Sequence, residues 1–388
     1  MLRMSKRRTS KRAMSVRREL HFQAERIELV LASHKVPARV TGGKVMPRLV
    51  RYNLAIPLGV KVKRVAALAE EMAMSLGAPS CRVYRLEGQV QLEVPRADGQ
   101  VVRLLTLCRQ LASQRRGPGT GRDLPPVTAV LGLDQEGVPL LLRLPSPNVA
   151  HVLIAGTTGS GKTALVRTMV ASLVLFNSQR ALQVVLVDPK GRGLLPFQGL
   201  PHLLAPVVTR VEAAQSVLEW MVEEMERRDL EGRSEPRVVV VLDELADLIQ
   251  VGGRAVERLV RRLTQRGREA GVHVVACTQK PAAAVIGGLV KSNFPVRLVG
   301  SVASPEDAKV ATGVAGTGAE RLLGEGDFVV VAKGQVMRLQ AAYIEEREVR
   351  ELVARLCRDS RPRLQAATGT IGAHRLTEPL LGRLRRVK

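Results

Sequence analysis

The sequence predicts an α/β protein whose larger domain is built on a mostly parallel sheet, preceded by a small mixed α/β domain and flanked by basic tails. Three observations carry this. Apolar runs at 153–155, 182–188 (LQVVLVD), 238–242 (VVVVL) and 272–278 (VHVVACT) read as strands buried on both faces, as parallel strands are. Between them, 164–175, 211–228 and 256–268 have helical spacing, which parallel connections require. A glycine-rich turn at 156–163 (GTTGSGKT) joins the first of these strands to the first of these helices.

That turn fits G-x-x-x-x-G-K-[ST], with Gly156, Gly161, Lys162 and Thr163 at the fixed places and Thr157, Thr158, Gly159 and Ser160 between them. The pattern is a phosphate cradle. Glycines let backbone N–H groups face a polyphosphate, Lys162 brings positive charge to its β/γ end, and the Thr163 hydroxyl can ligate Mg²⁺ as a helix opens behind it.

Composition bounds the rest. A chain of 388 residues with 45% apolar content supports two or three buried cores. Aromatic residues make up 2%, so the cores rest on Val, Leu and Ala, and base stacking on aromatic platforms is disfavoured. A net charge of +24 makes a polyanion the first partner to consider. The tails hold much of it: residues 1–20 carry eight basic side chains against Glu19, and 361–388 carry seven against Glu378. These arms either are solvated or add salt-sensitive phosphate contacts. Four scattered cysteines form no C-x-x-C pair, which points to a reducing compartment and away from zinc. No apolar stretch nears the roughly 20 residues that cross a bilayer, and the basic N-terminus lacks a signal-peptide core. A cytoplasmic protein without membrane insertion is expected.

In chain order, 1–20 is charged, lacks apolar periodicity and reads as a disordered arm. Residues 21–113 form the small α/β domain. Within it 27–33 is helical, 47–56 alternates as a strand, 65–76 is one long amphipathic helix, and 81–94 is two strands about Glu87-Gly88. The stretch 114–126 (QRRGPGTGRDLPP) is a linker by composition. The larger domain runs from 127 to 345, opening on a hairpin about Glu136-Gly137.

Asp188 closes the strand 182–188, at an end that faces the ligand crevice in open α/β sheets. The run 238–242 ends in Asp243-Glu244, with Asp243 lying 81 residues after Lys162. There an aspartate can hold the Mg²⁺ shell and the adjacent glutamate can orient or deprotonate an attacking water. Gln279, at the end of 272–278, either senses the γ-phosphate or is a satisfied strand-end amide. A strand follows 289–298, Ser304-Pro305-Glu306-Asp307 opens a helix, 319–327 is a helix ended by glycine, and 328–332 pairs with 336–343 across Lys333-Gly334. Residues 346–388 are a last helix and a basic tail.

The stretches HVLIAGTTGSGKT, LVDPKG, LPHLLAPVVT, WMVEEMERR, VVVVLDELADLI, GVHVVACTQKP and ERLLGEGDFVV resemble, in the same order, the motor domain of the FtsK/SpoIIIE DNA translocases. Residues 22–100 resemble the small α domain that precedes that motor. The resemblance implies a RecA-like P-loop NTPase that uses ATP and Mg²⁺, assembles as a homo-hexamer around double-stranded DNA and pumps it. It places the phosphate loop on 156–163, the Mg²⁺ acid on Asp243, the catalytic glutamate on Glu244 and the sensor amide on Gln279. Family members often read Thr-Gln-Arg-Pro and Asp-Ser-Arg where this chain has Thr278-Gln279-Lys280-Pro281 and Asp307-Ala308-Lys309. Lysine lacks the planar fork of arginine, so Arg268, or Arg266, becomes the candidate that completes a neighbour's site. The expected function is a soluble, ATP-dependent DNA translocase acting on chromosome or mobile-element DNA. The alternatives are a conjugation or packaging transfer motor, and a DNA-binding protein that ATP merely switches.

Overall fold

The computed structural model describes residues 2–86, 88–113, 124–279, 288 and 293–366. They form two compact units, Met1–Val101 and Val102–Lys388, each with its own core.

The first unit contains α1 (Leu2–Ser33), β1 (Arg39–Val45), β2 (Leu49–Ala55), α2 (Val62–Ala66), α3 (Ala69–Leu76), β3 (Arg82–Leu86) and β4 (Gln89–Pro95). Its antiparallel sheet has the order β1-β2-β4-β3. Ile27 and Leu31 of α1 share its core with Val65, Met72, Tyr52 and Leu92. Two expectations are corrected here. The arm predicted to be disordered continues α1 back to Leu2. No proline or glycine interrupts residues 2–33, and their Arg, Lys, Leu, Met and Ala favour helix, so the packed turns at Ile27 and Leu31 propagate outward. The single helix expected over 65–76 is two, broken at Ala67 and Leu68 with no proline or glycine to mark the break.

The second unit opens on α4 (Leu104–Ser113). The sequence assigned this helix to the small domain, but its Leu104, Leu107 and Cys108 belong to the core of the larger one. Of the expected linker, 114–123 lies outside the described residues, as does the tail 367–388. The unit continues with β5 (Thr128–Asp134), β6 (Pro139–Arg143), β7 (Val152–Ala155), α5 (Lys162–Phe176), β8 (Leu182–Val187), α6 (Val211–Leu230), β9 (Arg237–Leu242) and α7 (Leu245–Arg266). It ends with β10 (Val272–Thr278), β11 (Val296–Val299), α8 (Pro305–Thr312), β12 (Asp327–Ala332), β13 (Gln335–Ala341) and α9 (Glu346–Ala366).

One nine-stranded sheet, of order β6-β5-β13-β12-β11-β7-β10-β9-β8, organises the unit. The five strands from β11 to β8 are parallel, and β12, β13, β5 and β6 extend the sheet antiparallel. The strands alternate between two cores. Val152 and Ile154 of β7 face α5, α4 and α9, while Leu153 and Ala155 face α6, α7 and α8. Both faces are therefore covered, which explains why the central strands read as unbroken apolar runs.

Helix α7 begins at Leu245, directly behind Glu244, where the sequence placed its start at 256. It is two helical segments across Gly253, whose φ of 62° and ψ of −155° only glycine adopts readily. The helix expected over 319–327 is a single 3₁₀ turn, Ala319–Arg321, because Gly324 and Gly326 adopt positive φ and turn the chain into β12. Ser304 caps α8 as expected, accepting from the Asp307 amide at 3.1 Å.

At the amino ends of the parallel strands two histidines are buried together. His151 Nδ1 accepts from Val274 N at 3.0 Å, and His273 Nδ1 donates to Ala150 O at 3.0 Å. Nε2 of His273 is buried without a partner among the described residues. Burial pushes His151 down to about 3, helped by His273, and pushes His273 down to about 4. The unfolded chain, with histidines near 6.5, thus binds more protons below that value than the folded one, and stability falls as pH falls through 6.5. At pH 5.5 the loss is about 1.4 kcal/mol per histidine. Urea unfolding followed through Trp220, the only tryptophan, should show an earlier midpoint at pH 5.5 than at 7.5, and a smaller shift in His273→Leu.

Candidate nucleotide-binding site

Parallel pairing brings five strand ends to one edge of the sheet. β7 leads into Gly156, β8 into Asp188, β9 into Asp243 and Glu244, β10 into Gln279 and β11 into Gly300. The strand order inserts β10 between β7 and β9, so Thr278 and Gln279 lie between the phosphate loop and the two acids.

The loop is clamped from three sides. Gly156 N donates to Thr278 O at 3.3 Å, and Thr157 donates to Ser301 O through its amide at 2.7 Å and its hydroxyl at 3.0 Å. Behind it, the amides of Glu325 and Gly326 donate to the Gly159 and Ser160 carbonyls at 2.9 and 3.0 Å. Ser160 closes the turn by donating its hydroxyl to Thr157 O at 2.7 Å. A Cβ on Gly161 would come within 2.6 Å of Gly326 N, and the φ of +95° at Gly161 strains any other residue. Gly161 ends the loop, and the first-turn amides of α5 have no intrahelical acceptor, so they are available to an anion.

Lys162 is 8% exposed and donates to Gly156 O at 2.7 Å and Thr157 O at 2.9 Å, with burial lowering its affinity for a proton. The Thr163 and Asp243 side chains both approach Gly193. A Cβ on Gly193 would lie 2.9 Å from the Thr163 methyl and 3.3 Å from Asp243 Oδ2. Burial, then the neighbouring Asp188 and Glu244, push Asp243 up to about 6.

Glu244 is buried in the left-handed region at φ 61°, and its Oε1 accepts from Gln279 N at 3.0 Å and the Thr278 hydroxyl at 3.2 Å. The Gln279 side chain accepts from the Thr158 hydroxyl at 3.3 Å, which links the phosphate loop to the neighbourhood of the glutamate. Lys190 bridges Glu244 at 3.7 Å and Asp247 at 2.8 Å.

Arg268 is not among these groups. It lies before β10, bonded to Glu269 and the Pro147 carbonyl, while Arg266 pairs with Asp229. The seven residues of β10 separate it from the site, about 20 Å at roughly 3.3 Å per residue. Lys280 lies outside the described residues.

Several groups were not singled out by the sequence. Arg167 on α5 donates to the Gly193 and Arg192 carbonyls at 2.6 and 2.8 Å and pairs with Glu346 at 2.8 Å. Lys190, Gly193, Ser301 and Gly326 were likewise unassigned. Glycine and lysine in the 189–194 loop hinted at a special backbone, but no local pattern identifies their distant partners.

A phosphate loop at the carboxyl edge of a parallel sheet, with an acid pair one strand beyond its neighbour, defines a P-loop nucleotide-binding ATPase fold. Residues 110–233 and 229–283 match the model of the FtsK/SpoIIIE family, and 2–96 match the FtsK alpha domain. The chain is 35% identical over 358 residues to the DNA translocase SftA of Bacillus subtilis, covering 86% of this chain and 36% of that one. It is 34% identical over 374 residues to the DNA translocase FtsK of Mycobacterium leprae, covering 87% and 43%. A structure of the pCW3 conjugation coupling protein TcpA, in its monomer form with ATPgS, shares the fold at a TM-score of 0.57 and 18% identity, covering 86% of this chain and 99% of that one. The chain belongs to the FtsK/SpoIIIE family. It spans about two fifths of the length of these two curated relatives.

Gly161→Ala should weaken binding of a fluorescent ATP analogue about tenfold, since forcing alanine into the left-handed region costs roughly 1–2 kcal/mol. The unfolding transition reported by Trp220 should remain cooperative.

Proposed function

We propose that this chain is an ATP-dependent double-stranded DNA translocase, soluble, working as a homo-hexameric ring that couples ATP hydrolysis to movement along chromosome or mobile-element DNA. The observation that carries this reading is the meeting of 156–163, Asp243, Glu244 and Gln279 at one sheet edge, in a chain of this family with a net charge of +24. Among the described residues no helix is long and apolar enough to cross a membrane.

The residues divide the chemistry between them. The amides of the loop and Lys162 bind the β- and γ-phosphates, and Thr163 and Asp243 would hold Mg²⁺. The Thr163 and Asp243 side chains both approach Gly193, and a hydroxyl and a carboxylate are oxygen ligands that suit Mg²⁺. Bound there, Mg²⁺ would neutralise charge on the β- and γ-oxygens. Glu244 orients and deprotonates the attacking water once its contacts with Gln279 N and Thr278 loosen. Gln279, bonded to Thr158, senses the γ-phosphate. Arg268, at the other end of β10, is the candidate to complete a neighbour's site, a role served only between subunits. DNA is held by Lys and Arg contacts to phosphates and needs no base reading, and the basic tails add to this salt-sensitive term.

ATP turnover should rise severalfold on adding long duplex DNA and lose that stimulation as salt is raised. Turnover indifferent to DNA refutes the reading. Lys162→Ala should abolish nucleotide binding. Glu244→Gln should retain binding while turnover drops by about 10²-fold or more, as expected for loss of a general base.

A further inference from the structure

Asp188 ends β8 beside the end of β9. The parallel register pairs Val187 with Leu242, so the following residues, Asp188 and Asp243, stand side by side, and Asp243 N donates to Val187 O at 2.9 Å. Asp188 is completely buried. Its Oδ2 accepts from the amides of Gly193 and Leu194, both at 2.8 Å, which fixes the carboxylate rigidly. Among the described residues its Oδ1 is buried without a hydrogen-bond partner. An acceptor kept dry and unpaired is costly, and in a native site it calls for a ligand that satisfies it.

Gly193 shows what that ligand would be. A Cβ built on it would meet the Thr163 methyl at 2.9 Å, Asp243 Oδ2 at 3.3 Å and Asp188 Oδ2 at 3.6 Å, so one side-chain-free residue lies among three oxygen-bearing side chains. Arg167 holds this spacer from the other side through the Gly193 and Arg192 carbonyls. The carboxylates of Asp188 and Asp243 and the Thr163 side chain thus all approach Gly193, and oxygen ligands of this kind suit Mg²⁺, which keeps several of its waters and needs acceptors for their protons.

We propose that Asp188 is a further member of the divalent-cation site, its unpaired Oδ1 accepting a hydrogen bond from a water in the shell of the cation held by Thr163 and Asp243. This rests on the nucleotide-binding reading of the site above. Asp188 is then a positioning residue: it sets cation affinity and touches neither the phosphate nor the attacking water.

Asp188→Asn separates this role from loop anchoring. The amide oxygen still accepts from Gly193 and Leu194, while the second position becomes a donor that repels the protons of a metal-bound water. Titration of Mn²⁺ into the full chain with a non-hydrolysable ATP analogue, followed by electron paramagnetic resonance, should show the half-saturating Mn²⁺ rising at least about tenfold. Binding of a fluorescent ATP analogue in EDTA should equal that of the wild type. Glu244→Gln, which removes an equal charge nearby, should shift half-saturation less than about threefold. An unchanged half-saturation in Asp188→Asn, or an equal rise in Glu244→Gln, overturns the proposal. Asp188→Ser keeps a short acceptor for the two amides and carries the same expectation, so the test stands if the asparagine variant does not fold. If the wild type binds Mn²⁺ with nucleotide and hydrolyses ATP while both Asp188 variants match it, only this inference falls. Absence of cation-dependent nucleotide binding in the wild type overturns the nucleotide-binding reading with it.

Discussion

The parallel pairing of β8 with β9 forces two carboxylates together at the end of a buried ladder, and the charge arrangement of the site follows from that. Val187 opposite Leu242 leaves Asp188 and Asp243 as neighbours with no apolar residue between them. Burial, and then repulsion from Asp188 and Glu244, hold Asp243 well above the ordinary carboxylate range. Lys162 and Lys190 work against this from two sides, the first through the phosphate loop and the second through Glu244 and Asp247. Carboxylates and lysines thus meet at one stretch of the sheet edge, and each sign of charge limits the electrostatic cost of the other.

The backbone meets the matching geometric demand. The loop's carbonyls are satisfied partly from within, where Lys162 donates to Gly156 and Thr157, and partly from outside, where the Glu325 and Gly326 amides donate to Gly159 and Ser160. That approach is close enough to require glycine. A Cβ at Gly156 would meet Ser160 Oγ at 2.8 Å, and one at Gly300 would meet Ser160 Cβ at 2.7 Å. The loop is therefore positioned by strand ends far apart in sequence, and its shape is a property of the sheet as much as of its own glycines.

This division explains what the sequence could and could not reveal. Strands buried on both faces announce themselves as apolar runs, and β7, β8, β9 and β10 were legible to within a residue or two, as were the hairpin turns at Gly137 and Gly334. The glycine-rich turn 156–163 and the pair Asp243-Glu244 were visible as local patterns, and the strand order brings both to one sheet edge. What failed was decided by tertiary packing. Helix α4 is amphipathic wherever it lies, and only the core around Leu104 and Leu107 says which unit claims it. The 319–327 segment has helix-forming residues, but Gly324 and Gly326 turn it into β12 behind the phosphate loop. Arg167, one turn past Thr163, looks like any cation on a helix until the fold brings the 192–193 carbonyls and Glu346 to it. Asp188 was visible as a strand-end acid, while its unpaired oxygen is a fact of three dimensions.

Glu244 shows why the two halves of the site form one unit. A non-glycine residue at φ 61° costs of order 1–3 kcal/mol. The conformation is held because only Asp243 and Glu244 lie between the end of β9 and the start of α7, so two residues make the whole change of direction. The strain aims the carboxylate at β10, where the Gln279 amide and the Thr278 hydroxyl both donate to one oxygen. Since the Gln279 side chain is bonded in turn to Thr158, any displacement of the phosphate loop at Thr158 acts on the same residue whose amide holds the glutamate. The contact runs through two hydrogen bonds and one backbone, short enough to leave little slack. The strand inserted between β7 and β9 is thus the physical link between the 156–163 loop and Glu244.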